Sequence, residues 1–152
     1  MFSVERYHDI SCGHRVVGHE SKCQHLHGHN YRIRFTCSAN DLDKVGRVID
    51  FSVIKEKLCM WLEENWDHKF LAWYTDPVMK VMVNASKSYP RNRDCGRIFE
   101  ESMIFVPFNP TAENMAKYLV EVVGPTQLEG TGIVLTKCVV EETRKCSASF
   151  EV

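Results

Sequence analysis

The chain has 152 residues, a formal net charge of -1 at pH 7, and 26% charged against 44% hydrophobic residues. This length allows one compact domain over 1–152, and the balanced charge argues against a partner such as nucleic acid, whose binding needs a clustered basic excess. Because no apolar run approaches the roughly 18 residues of a membrane span and residues 1–9 are charged where a signal peptide would be apolar, we expect a cytoplasmic protein without a membrane partner.

The first half of the chain predicts two strands and a helix. Residues 2–9 are compatible with a strand, and from His27 to position 38 apolar and polar side chains alternate, as in a half-buried strand. A helix from about 52 to 65 follows, with Asp50 or Ser52 as its N-cap and its apolar residues at helical spacing.

The second half predicts one helix and two strands. The helix begins near the proline at 110 and stops at the Gly-Pro pair 124–125. The β-branched residues of 133–140 predict a strand, with which the last segment, 147–152, can pair. Strands and helices that do not alternate one by one favour an α+β fold, with a largely antiparallel sheet covered on one face.

The stretch from about 73 to 106 fits none of these patterns. It is irregular, moderately basic from Lys87 to Arg97, and interrupted by prolines. A connection of this length is usually functional or an insertion, and less often a missed element. We interpret it as a long insert within a single domain.

The chain contains seven cysteines and seven histidines, and five of the histidines fall between positions 14 and 29. The cysteines are scattered singles, which in a cytoplasmic chain indicates reduced thiols. His27 and His29 share one face of a predicted strand, so their imidazoles can converge on one ion, and His14 would add a third ligand. Three neutral imidazoles suit zinc with a fourth position left open, although a single histidine is more often an ordinary core or surface residue.

Two further features suggest acid–base chemistry. Cys23 lies beside Lys22 and four residues before His27, so it has reason to be a thiolate that acts as base or nucleophile. The alternative is a further metal-loop residue or a spectator thiol. Asp67 and His68 directly follow the first predicted helix, and a carboxylate beside an imidazole is a common proton-relay pairing, although adjacent side chains need not touch.

Six ordered blocks of the sequence resemble the 6-pyruvoyl-tetrahydropterin synthase and 6-carboxytetrahydropterin synthase family. The most specific block is the Cys-x-x-x-His-Gly-His-Asn run from Cys23 to Asn30, and the blocks are 11–15, 22–31, 48–51, 66–71, 110–114 and 140–143. The short spacing from Cys23 to His27 is similar to the bacterial carboxy synthases of the 7-deazaguanine route to queuosine-type nucleosides. The animal-type pyruvoyl synthases place more residues there.

The resemblance implies the tunnelling fold, an antiparallel four-stranded sheet with two helices between strands 2 and 3. It also implies a barrel-forming oligomer, a homo-hexamer of two trimers with active sites between subunits. The implied activity is zinc-dependent conversion of 7,8-dihydroneopterin triphosphate to 6-carboxy-5,6,7,8-tetrahydropterin by a carbon–carbon lyase that releases acetaldehyde and triphosphate. The alternatives are a 6-pyruvoyl-tetrahydropterin synthase, which retains the carbon chain, and a non-catalytic zinc- or pterin-binding module.

The resemblance also assigns site residues, position by position. The implied zinc ligands are His14, His27 and His29, and the implied catalytic residues are Cys23, Asp67 and His68. Glu142 matches the carboxylate that accepts the N–H donors of the pterin edge, and Thr111 matches a threonine of the ring pocket, with helix N-cap as its alternative role.

The insert and two histidines remain outside this assignment. Arg91, Arg93 and Arg97 could approach the triphosphate, although a solvated surface loop is the commoner reason for such a run. His19 and His25 receive no role.

Overall fold

The computed structural model describes residues 1–90, 92 and 94–152, and a six-stranded mixed sheet lies at its centre. The strands are β1 (Phe2–His14), β2 (His27–Ala39), β3 (Phe70–Trp73), β4 (Met103–Val106), β5 (Val134–Thr143) and β6 (Cys146–Glu151). Their order across the sheet is β4-β3-β1-β2-β5-β6. The α+β class is confirmed, whereas the prediction of a four-stranded antiparallel sheet is wrong.

The four strands that the sequence predicts form the antiparallel part of the sheet. β1 pairs with β2, β2 with β5, and β5 with β6, all antiparallel. The two additional strands lie in parallel at the other edge, where β3 pairs with β1 at Gly13 and with β4 along its length. Each additional strand has only four residues, too few for an alternating pattern to stand out in the sequence.

Four helices connect the strands within the described residues: α1 (51–65), α2 (Pro77–Ser86), α3 (Asp94–Ser102) and α4 (112–127). The long helices α1 and α4 each contain a π-helical turn, at Lys55–Cys59 and Leu119–Val123. α2 and α3 occupy the stretch for which the sequence predicts no element, so the prediction that this stretch is irregular is wrong. None of these helices is long and apolar enough to cross a bilayer.

The predicted stop of the second long helix at 124–125 is also wrong. α4 continues through Gly124 to Gln127, and the N–H of Gly124 bonds to the Leu119 carbonyl in π register. A Cβ at Gly124 would lie 2.8 Å from the Leu135 Cβ. The glycine therefore allows the helix to approach β5 closely and does not act as a terminator.

The hydrophobic core lies between the sheet and the two long helices. Alternate residues of β2 are fully buried, as the period-2 pattern predicts: Tyr31, Ile33, Phe35 and Cys37. The helices contribute Ile54, Leu58, Leu62, Met115, Leu119 and Val123. Burying each such side chain contributes about 1.5–3 kcal/mol, so the core determines which face of β1 and β2 points inward and in which register they pair.

Candidate functional site

The three predicted metal ligands converge where β1 ends and β2 begins. His14 pairs with His27 in the antiparallel register, and His29 lies two residues further along β2. Their ligand atoms lie within 4.8 Å of one another, and His14 Nε2 is 3.1 Å from His27 Nε2. Gly28 allows this approach, because a Cβ there would lie 3.0 Å from the Cys12 carbonyl oxygen.

Backbone carbonyls orient two of these imidazoles. His14 Nδ1 donates to the Pro110 carbonyl at 2.6 Å, and His27 Nδ1 donates to the His25 carbonyl at 2.7 Å. In the neutral rings the two Nε2 atoms then carry lone pairs that face each other, which is unfavourable unless a proton or a cation lies between them. A carbonyl acceptor on the outer nitrogen is the usual second contact of a metal-bound histidine.

The third histidine has a buried nitrogen without a partner. Burial lowers the pKa of both His14 and His29, and it outweighs the Pro110 hydrogen bond and the nearby Glu142 charge, which raise it. His29 Nε2 has no hydrogen-bond partner among the described residues, and Glu142 Oε1, 3.2 Å away, lacks the geometry of a hydrogen bond. Such orphaned atoms are rare, so the three histidines are a ligand set that could hold a metal ion.

Three predicted site residues from distant parts of the chain line one cavity of about 320 Å³. Cys23 lies half-buried in a 3-10 turn, Lys22–Gln24, between β1 and β2. Glu142 comes from β5 and reaches toward His29, so it joins this cavity to the histidines. Thr111 N-caps α4 by accepting the N–H of Asn114 at 3.2 Å, and it lines the cavity as well.

His19 and Cys146 line the same cavity, and neither receives a role from the sequence. His19 follows β1, and its Nδ1 accepts the N–H of Ser21 at 2.9 Å. Cys146 is the first residue of β6. Only the register of β6 against β5 brings residue 146 to this place, and the sequence pattern predicts the pairing without its register.

Asp67 and His68 contact each other and are held by the strand β1. His68 Nδ1 donates to Asp67 Oδ2 at 2.8 Å, and Asp67 Oδ1 accepts the N–H of Ser11 at 2.9 Å. Burial raises the pKa of Asp67, but these two hydrogen bonds lower it by more, so the net pKa is below the usual value and the carboxylate stays ionised. His68 has a left-handed φ of 59° and donates its N–H to the Ser11 carbonyl, an uncommon conformation that often marks functional residues.

Among the described residues of one chain, His68 and the Cys23 thiol line different cavities. His68 lines a second cavity of about 480 Å³ together with His29 and Lys69. Its side chain is 82% exposed. His29 therefore lies between the cavity that contains Cys23 and the cavity that contains His68, and the imidazole of His68 is presented to the outside.

Of the three arginines that the sequence singles out between 87 and 97, Arg91 and Arg93 lie outside the described residues. Arg97 is in α3, and its guanidinium lies 3.0 Å from Glu101 and 3.9 Å from Asp94. Exposed ion pairs one helical turn apart contribute little to stability, and they account for this arginine on the helix surface.

Comparison with known proteins gives a consistent set of relatives. A family profile described as 6-pyruvoyl tetrahydropterin synthase matches residues 3–152. Proteins named 6-carboxy-5,6,7,8-tetrahydropterin synthase from Rickettsia felis and Rickettsia typhi are 32% and 33% identical over 146 residues, which is 96% of this chain and 97% of theirs.

Solved structures show the same fold. An uncharacterized protein from Wolinella succinogenes superposes with a TM-score of 0.83 at 25% identity, over 99% of this chain and 97% of its own. The 6-pyruvoyl tetrahydropterin synthase of Caenorhabditis elegans has a TM-score of 0.64 at 21% identity, over 99% of this chain and 95% of its own, which is a likeness of fold alone.

Proposed function

The chain belongs to the 6-pyruvoyl tetrahydropterin synthase family, and we propose that it is a zinc-dependent 6-carboxy-5,6,7,8-tetrahydropterin synthase. In this reaction 7,8-dihydroneopterin triphosphate takes up one water, releases triphosphate and acetaldehyde, and becomes 6-carboxy-5,6,7,8-tetrahydropterin, a step in 7-deazaguanine (queuosine-type) biosynthesis. The observation that carries the proposal is the convergence of three histidines beside a cavity lined by a thiol and a carboxylate. Relatives that match 96% of the chain carry the carboxy name, which favours this branch over the pyruvoyl alternative.

Zinc fits the donor set of His14, His27 and His29. Two imidazole nitrogens bound to one tetrahedral zinc at about 2.0–2.1 Å lie about 3.4 Å apart, close to the distance between His14 Nε2 and His27 Nε2. A metal ion would also give the orphaned His29 Nε2 a partner. When bound, zinc supplies a Lewis acid that lowers the cost of deprotonating a substrate hydroxyl.

The residues of the cavity with Cys23 would bind the pterin and begin the proton transfers. Glu142 can accept the neighbouring N–H donors of the aminopyrimidinone edge through both carboxylate oxygens, and Thr111 would contact the ring. The Cys23 thiolate would then remove the proton from the side-chain carbon next to the ring. The common cavity of Cys23, Thr111 and Glu142 supports this arrangement, because one bound ring could contact all three side chains.

Asp67 and His68 would act on a substrate held by a second copy of the chain. The exposure of His68 and its separation from the cavity of Cys23 support this proposal. The sheet also has edges available for pairing, since β6 is outermost and β1 pairs with β3 only at Gly13. Closing these edges between copies would form the barrel of a homo-hexamer built from two trimers.

We also propose that residues 1–152 form one domain in the cytoplasm. The family profile extends over residues 3–152, which supports a single unit that includes the segment 73–106. All seven cysteines are free thiols, as expected for a reducing compartment.

A product assay tests the proposed activity. The zinc-loaded protein, incubated with 7,8-dihydroneopterin triphosphate, should release acetaldehyde and triphosphate in equal amounts. Triphosphate without acetaldehyde would identify a pyruvoyl synthase, which retains the carbon chain. Neither product from a protein that binds one zinc per chain would leave the non-catalytic zinc- or pterin-binding module.

A further inference from the structure

The segment that begins at Cys23 is held by an unbroken series of hydrogen bonds. The carbonyls of residues 23, 24 and 25 each accept a hydrogen bond from one of the two residues after β1 or from the start of β2. The donors are, in that order, Val16 N at 2.8 Å, Arg15 Nη1 at 2.6 Å and His27 Nδ1 at 2.7 Å. The donor to the Gln24 carbonyl is the Arg15 side chain. Arg15 is not one of the three metal-ligand histidines, so another contact must fix the position of its guanidinium.

Arg15 is held by a buried carboxylate from the segment 73–106, Asp76. Its Nε and Nη2 donate to Asp76 Oδ2 and Oδ1 at 2.7 and 3.0 Å, and the Asp76 side chain is 1% exposed. Burial raises the pKa of Asp76, but the hydrogen bonds from Arg15 and from the N–H of Val78 lower it by more, so the net pKa is below the usual value and the carboxylate is ionised. A two-pronged pair of this kind fixes the plane of the guanidinium as well as its distance.

We propose that Asp76, acting through Arg15, is a positioning residue for Cys23, and that this contact is one contribution of the segment 73–106 to the site. Arg15 directly follows the ligand His14, so a guanidinium fixed by Asp76 sets the distance from the end of β1 to the turn that contains Cys23. The inference rests on the catalytic role proposed for Cys23. A displacement of about 1 Å in a reacting group costs about 10²-fold in rate, so this third contact matters for turnover.

Three variants separate positioning from general destabilisation. Asp76→Asn removes the charge but keeps an oxygen that can cap α2 at Val78. Arg15→Lys keeps the charge but cannot form the two-pronged pair and the Gln24 contact together. The double variant Arg15→Gln with Asp76→Asn leaves no unpaired buried charge, so it remains informative if a single variant fails to fold. Arg47→Lys, in an exposed pair with Asp43, is the matched control.

Hydrogen–deuterium exchange on the zinc-loaded proteins, with steady-state kinetics, is the decisive measurement. We expect faster amide exchange over 16–25 in the three test variants and not in the control, with zinc content unchanged. We expect kcat to fall by about 10²-fold with KM changed by less than about threefold, and the double variant to lose no more than the worse single variant.

The opposite results overturn the inference. Exchange over 16–25 that equals that of the wild type in the folded variants would show that the pair does not hold the segment. Faster exchange with an unchanged kcat would show that the held position is irrelevant to turnover. A wild-type protein without synthase activity would refute the proposed function, and the exchange comparison alone would then decide whether Asp76 and Arg15 position Cys23.

Discussion

Replacing Asp67 with asparagine tests the proposed proton relay more sharply than removing the carboxylate altogether would. Both carboxylate oxygens are used, since Oδ1 accepts the N–H of Ser11 and Oδ2 accepts from His68 Nδ1. Asparagine can keep the first bond only by turning its NH2 group toward His68. The imidazole must then accept through Nδ1 and carry its proton on Nε2. The flipped amide would instead leave two donors facing each other at Ser11.

The energies decide between these two orientations. A donor left without an acceptor costs about 1–3 kcal/mol, so the orientation that keeps the Ser11 bond should dominate, and with it the tautomer that has Nε2 protonated. The exposed nitrogen of neutral His68 then cannot accept a proton. Positioned acid–base catalysis contributes about 10²–10⁴-fold, so kcat should fall by that factor, which corresponds to about 2.7–5.4 kcal/mol. Folding stability should change much less, because the Ser11 hydrogen bond is retained.

Acetaldehyde release across a range of pH measures this effect, with zinc content and melting temperature recorded for each protein. Asp41→Asn makes the same chemical change at an exposed position and should leave the rate unchanged. An Asp67→Asn enzyme that turns over within about threefold of the wild type, with its zinc bound, would show that Asp67 does not control the proton of His68.

Three further substitutions test the rest of the site. Cys23→Ala should keep its zinc, and its rate of product formation should fall 10²-fold or more, about 3 kcal/mol, as expected for a missing base. Cys146→Ala, in the same cavity, should stay active. Equal effects of the two substitutions on product formation would exclude a special role for Cys23. Glu142→Gln should raise KM for the pterin about tenfold or more, because a charge-assisted pair is lost, and an unchanged KM would exclude this anchor. His27→Ala should lose the bound zinc, measured by metal analysis, while His25→Ala keeps it, because only the backbone carbonyl of His25 takes part; zinc retained in His27→Ala would contradict the ligand set.

Long, regular patterns in the sequence predict their elements well. β2 alternates from its first residue to Cys37, and the helix 51–65 has a carboxylate N-cap and apolar residues at helical spacing, so local sequence suffices for both. β3 and β4 have four residues each, and their parallel pairing depends on partners more than 30 residues apart in the chain. The sequence predicts Gly124 as a helix stop, and this is wrong because the role of the glycine comes from its contact with β5, which local sequence does not show.

In the candidate site, too, the features set by local sequence are predicted, and those set by contacts between distant segments are not. The spacing of His27 and His29 is local, so the sequence indicates a metal site before any fold is known. The pairing of Arg15 with Asp76 spans 61 residues and joins two segments without a shared pattern. The exposure of His68 also lies beyond sequence patterns, because it depends on how the folded surface is covered.

The three histidines come together only when β1 and β2 pair in their native register, so a metal ion bound to them would also affect folding. The pairing runs without interruption from Phe2 opposite Ala39 to His14 opposite His27. A slip of one residue anywhere in this ladder would turn His27 and His29 to the opposite face and leave His14 alone. A metal ion bound by the three histidines would stabilise only the native register, by a free energy that rises with the logarithm of the ratio of its concentration to its dissociation constant. The cation would thus favour the one alignment of β1 and β2 in which His14, His27 and His29 can bind it together.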